Sequence, residues 1–63
     1  MKKLLDYQPH EVVVKQRKIF NDWWIQLFTV ENNVFIIDQG PFTWQECEDA
    51  YKGLVDLGYK KEQ

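Results

Sequence analysis

"DWWIQLFTV" at residues 22–30 and "VFII" at residues 34–37 are the stretches on which the fold of this chain turns. Both read as strands, rich in β-branched and aromatic side chains. A strand lying on a helix should alternate apolar and polar, one face buried and one wet. These two carry aromatic or aliphatic groups on both faces, so something must meet the second face. The whole chain has 63 residues, and a chain that short buries only about 60% of its unfolded surface. A second covering layer is hard to find within it.

Working outward, "EVVVKQRKIF" (residues 11–20) joins a β-branched run to a basic stretch and predicts a first strand over Val12–Phe20. Asn21-Asp22 suits a two-residue turn, because both residue types tolerate positive φ. The second strand is then Trp23–Glu31, Asn32-Asn33 turns the chain again, and the third strand is Val34–Asp38, with Gln39-Gly40-Pro41 ending the sheet.

The helix that follows carries its own signals. Thr43-Trp44-Gln45-Glu46 fits the S/T-x-x-E capping box, with Phe42 and Cys47 placed to form a hydrophobic staple. Trp44, Cys47, Tyr51, Leu54, Val55 and Gly58 recur with the period of one helical face, widened by Ala50 and Leu57. Gly58 suits the left-handed position after the last turn, with Tyr59 folding back on Leu54. The expected architecture is an α+β domain of β-β-β-α order: a three-stranded antiparallel meander with one C-terminal helix packed on one sheet face. Residues 1–63 form a single small domain, with 1–10 as a lead-in broken at Pro9, 11–59 as the folded core and 60–63 as a tail.

Two-residue hairpins at both turns would assign every strand residue a face. One face collects Val12, Val14, Phe20, Trp23, Ile25, Leu27, Val34 and Ile36, and the helix packs there. The other collects Val13, Lys15, Arg17, Ile19, Trp24, Gln26, Phe28, Val30, Phe35 and Ile37. In that register Lys15 lies opposite Phe28 and Arg17 opposite Gln26. Leu4, Leu5 and Tyr7 are the residues able to fold over part of this second face. An extra residue in either turn exchanges the faces of the flanking strands.

Composition narrows the function classes. Hydrophobic residues make up 44% of the chain and aromatics 16%, enough for a core, so disorder is not expected. A single cysteine excludes an internal disulfide, and no Cys/His cluster suggests zinc. The opening "MKKLLDYQPH" lacks the apolar run of a signal peptide, and no segment approaches the roughly 18 apolar residues of a membrane span. A cytoplasmic setting with no membrane contact is the default expectation. Net charge is −2, but unevenly spread. Residues 1–20 carry Lys2, Lys3, Lys15, Arg17 and Lys18 against Asp6 and Glu11, and residues 21–58 carry acids with Lys52 as the one base.

Catalysis has little to work with. His10 and Cys47 are the only histidine and cysteine, and a position on the apolar stripe makes Cys47 a small buried hydrophobe before a nucleophile. Gly40, Gly53 and Gly58 match no phosphate-loop spacing, so neither an enzyme nor a cofactor is expected. Glu46, Asp49 and Asp56 read as a solvated helix face, with Glu48 and Lys52 at i,i+4 spacing.

The second sheet face holds the candidate site. Its anchors are Trp24, Phe28, Phe35 and Ile37, with Arg17 and Lys15 at the rim. Exposed apolar patches mark interaction sites, and Trp, Phe and Arg are enriched among interface anchors. The expected role is that of a small accessory or regulatory protein binding another protein or a second copy of itself. The alternative is a sheet-based nucleic-acid binder, using the same aromatics with Lys15, Arg17 and Lys18.

Overall fold

Four strands and one helix follow in the order β1 (Val12–Ile19), β2 (Asp22–Thr29), β3 (Phe35–Phe42), α1 (Trp44–Asp56) and β4 (Lys60–Lys61). They are seen in a computed structural model that describes residues 3–62. Met1 and Lys2 of the expected lead-in and Gln63 of the expected tail lie outside the described residues. The sheet order is β3-β2-β1-β4. The first three strands form the antiparallel meander, and β4 runs parallel to β1 through the pairs Val13↔Lys60 and Val14↔Lys61. The α+β class and the C-terminal helix stand, but the sheet is mixed and has four strands, not three.

The first hairpin turns one residue earlier than the Asn21-Asp22 expectation, at Phe20-Asn21, with Ile19 opposite Asp22. Lys15 therefore faces Gln26 and Arg17 faces Trp24. Every partner moves by two positions, which leaves each strand residue on its expected face. The gain is in the core: Val14 now lies opposite Leu27, where the other register offers Leu27 only Gln16. The cost falls on Phe20, which leaves the strand, stands 93% exposed and takes φ 57°. A left-handed conformation costs a non-glycine residue about 1–2 kcal/mol.

The second connection is longer than the two residues expected and spans residues 30–34. Thr29 closes it: its amide donates to Val34 O at 2.8 Å, its carbonyl accepts from Asn33 N at 2.9 Å, and its Oγ1 accepts from Val34 N at 3.0 Å. Asn33 supplies the positive φ, 54°, which its short polar side chain tolerates. Val34 precedes β3 and remains half exposed instead of joining the core. The β2–β3 ladder then breaks step twice, between Trp23 and Ile25 and between Leu27 and Phe28. Ile36 and Phe42 both pack against the core, and the bulge between Leu27 and Phe28 brings Ile37 to the same side. β3 also continues through Gly40-Pro41 to Phe42, past the expected end at Asp38. It is the outer strand, where proline's missing N–H breaks no ladder bond.

Helix α1 begins as its sequence signals require. Glu46 N donates to Thr43 Oγ1 at 3.2 Å and Thr43 N to Glu46 Oε1 at 2.9 Å, so two orphan amides are satisfied reciprocally. It ends in a Schellman motif: Tyr59 N donates to Leu54 O at 3.2 Å and Gly58 N to Val55 O at 3.0 Å, with Gly58 at φ 105°. Val12, Val14, Ile25, Leu27 and Cys47 are the buried core. Trp23, Ile36, Phe42, Ala50, Tyr51, Leu54 and Tyr59 pack around it, and Trp23 meets Trp44 at a ring separation of 4.6 Å.

The lead-in forms two short 3-10 turns, Leu4–Asp6 and Pro9–Glu11. Leu4 and Tyr7 pack against the core cluster, while Leu5 points to solvent. The expectation that they reach over the second sheet face is therefore corrected. Packing against the apolar core removes more apolar surface from water than lying on a partly polar face.

Candidate interaction face

The face turned away from α1 is laid out in rows across the strands, because antiparallel and parallel partners share a side. One row is Lys60, Val13, Phe28 and Phe35. The middle row contains Lys15, Gln26 and Asp38. The third contains Arg17 and Trp24. Trp24 lies against Gly40 of β3, where an added Cβ would stand 2.7 Å from the indole carbons Cδ2 and Cε3. Gly40 therefore provides the flat backbone on which the indole rests, which is why Trp24 is half-buried with no layer above it.

The other aromatics are supported by neighbours on the same face. Phe28 and Phe35 pack edge to face with ring centroids 5.7 Å apart. The Lys15 ammonium lies over the Phe28 ring, 4.4 Å from its centre, and donates to Asn33 Oδ1 at 3.1 Å. Such a contact at a partly exposed site is worth about 0.5–1 kcal/mol. Arg17 reaches the other way, with Nη1 and Nη2 donating to the two carboxylate oxygens of Glu62 at 3.0 and 2.6 Å. These bonds raise the Arg17 pKa above its ordinary value and hold Glu62 below the usual carboxylate range. The pair clasps β4 to the sheet. Among the described residues it is the one ion pair, so Glu48 and Lys52 do not form theirs.

Five of the six predicted site residues, Trp24, Phe28, Phe35, Arg17 and Lys15, are thus brought onto one face. Ile37 is not among them. The bulge at Ile36 sets Ile37 opposite Leu27, on the helix side of the outer strand and 44% exposed. Simple alternation from Phe35 places it on the open face, and the extra residue reverses that. Glu62, Asp38 and Lys60 are members of the face that sequence reasoning left out. Glu62 carried no signal, since a polar residue near a terminus reveals its partner only when the strand pairing is known.

Cys47 and His10 lie in different surroundings. Cys47 is fully buried, with the Gln16 amide 3.7 Å from its sulfur and the Trp24 carbonyl 4.0 Å away. Burial pushes the thiol above its ordinary pKa, which disfavours the thiolate that chemistry would need. His10 is exposed on the second 3-10 turn.

Fold and face together define a small α+β domain with a mixed sheet, one side roofed by a helix and the other open. No family model, curated protein or solved structure matches the chain. No helix among the described residues is long and apolar enough to cross a membrane.

Proposed function

We propose that this is a non-enzymatic protein-binding domain of accessory or regulatory type, acting through the open sheet face. The observation that supports it is the set of aromatic side chains on that face, the Phe28–Phe35 pair and Trp24 beyond the row of Gln26, each ordered by a neighbour with no layer above, Phe35 being 50% exposed. Preformed aromatic anchors bordered by an arginine have the composition of an interface centre and cost little ordering on association. The nucleic-acid alternative finds less support. Arg17 is neutralised by Glu62 and Lys15 is engaged with Phe28 and Asn33, and Asp38 adds negative charge to the same face.

The test compares wild type with Phe35→Glu, an exposed substitution that leaves the core intact. Self-association is followed by sedimentation, binding to other proteins by capture on the immobilised domain, and nucleic-acid binding by titration with labelled single-stranded oligonucleotides. Protein contacts that Phe35→Glu weakens at least about tenfold, and that persist in high salt, support the proposal. Oligonucleotide binding that collapses with salt would replace it with the alternative. Protein contacts indifferent to Phe35→Glu would refute it.

A further inference from the structure

The chain carries a net charge of −2, yet one corner of the molecule is basic. Pairing of β4 with β1 sets Lys60 beside Val13 and Lys61 beside Val14. The Lys15 ammonium is held nearby, over the Phe28 ring and bonded to Asn33 Oδ1. These three lysines, with Val13, Val30, Asn33 and Glu62, line a hollow of about 790 Å³ where β1, β4 and the β2–β3 connection meet.

Glu62 is the one acid of that lining, and its bidentate pair with Arg17 cancels it. Among the described residues none of the three lysines is in an ion pair. Glu11 and Glu31 line a separate hollow on the other side of Val30, and Asp38 lies across the sheet on the far edge strand. The hollow already favours a carboxylate. Bonds from Arg17 do most to hold Glu62 below the usual carboxylate range, against a smaller opposing effect of burial, and the charges of Arg17 and Lys15 add to it. Val13 and Val30 give the same hollow an apolar part, half-buried and 50% exposed respectively. No residue of the lining is aromatic, so a nucleic-acid base finds no ring there on which to stack. An aliphatic side chain between carboxylates matches both parts.

We propose that this hollow binds an acidic segment of a partner protein, an aliphatic side chain resting on Val13 and Val30 while flanking carboxylates meet Lys15, Lys60 and Lys61. The proposal rests on the sheet-face reading in taking the partner for a protein, and it names that partner's chemistry at the β1–β4 end.

Fluorescence anisotropy with short labelled peptides tests it. In the first peptide glutamates flank a leucine, in the second lysines replace the glutamates, and in the third serine replaces the leucine. Wild type is expected to bind the first at least about tenfold more tightly than either other, and less tightly as salt rises. The double variant Lys60→Gln, Lys61→Gln should lose affinity several-fold, because it removes two exposed charges and keeps the backbone that pairs with β1. Lys18→Gln, Lys52→Gln removes the same charge from residues outside the lining and should bind nearly as wild type does. No measurable binding of the first peptide, or equal binding of all three, overturns the proposal. Equal losses in the two double variants do so as well, since they would reflect net charge alone. Tighter binding of a single-stranded oligonucleotide of equal charge would overturn it in favour of nucleic acid. The wild-type peptide comparison involves no change at Phe35. Protein contacts sensitive to Phe35→Glu without the peptide preference therefore defeat this proposal alone, and the preference without such contacts defeats the aromatic anchors alone.

Discussion

The two faces of the sheet are built from similar side chains and held by different means. On the covered face, Val12, Val14, Ile25 and Leu27 lose nearly all contact with water beneath α1. Their contribution is area removed from solvent, about 25 cal/mol per Å². On the open face Trp24 and Phe28 are half-buried and Phe35 is exposed, and each is positioned by one specific neighbour: Gly40 under Trp24, Lys15 over Phe28, Phe28 against Phe35. Burial therefore makes the first face the seat of stability, whereas local pairing gives the second a defined shape at little energetic gain. A surface prepared in that way can meet a partner without first being ordered.

The contrast is broken most forcefully from the covered side. Ile25→Ala should cost about 2–5 kcal/mol, the range for emptying a fully buried site. Urea unfolding followed by far-UV dichroism would show the loss, a large fraction of the about 5–15 kcal/mol by which domains are stable. A cost no larger than that of an exposed substitution would mean the core is not where the stability resides.

Gly40→Ala sharpens the comparison from the open side. Its new methyl would stand 2.7 Å from the Trp24 indole and 3.0 Å from the Trp23 carbonyl oxygen. Displacing the indole should cost about 1–3 kcal/mol and change tryptophan fluorescence before any unfolding. An unaltered emission spectrum would show that Trp24 does not rest on β3.

The smallest effect belongs to the clasp. Glu62→Gln breaks an ion pair whose side chains are 42% and 35% exposed, so solvent screening limits the loss to about 0–1 kcal/mol. Its pH dependence has a definite sign. Folding lowers the Glu62 pKa, so its stabilisation is present above the unfolded value of about 4.3 and is lost as pH falls through the lower folded value. Wild type and Glu62→Gln should thus differ at neutral pH and converge in acid. Melting curves that stay parallel down to the lowest pH would remove the clasp from the stability of β4.

The parts of the fold that were legible in the sequence are those whose determinants are local. Thr43 and Glu46 cap a helix by contacts three residues apart, and Gly58 ends it through bonds to Leu54 and Val55. Alternation in β1 and β2 was legible as well, because a period of two survives an even shift of register. Ile37 shows the limit. Nothing near it marks the bulge, which shows only in the pairing of β2 with β3: Phe28 meets Phe35 and Leu27 meets Ile37, with Ile36 between. Phe20 shows another: the turn settles where Val14 meets Leu27, although Asn21-Asp22 is the better turn on local chemistry.

By itself, then, the sequence determined the helix with both its ends, the strand character of the segments before it, and five of the six residues gathered on the open face. Those features follow from contacts within a few residues or from simple periodicity. Only the tertiary structure decided the turn at Phe20, the bulges in β3, the fourth strand at Lys60–Lys61 and the Arg17–Glu62 pair across 45 residues. Each of these depends on how separate segments share one small core, a competition among packings that no local signal records.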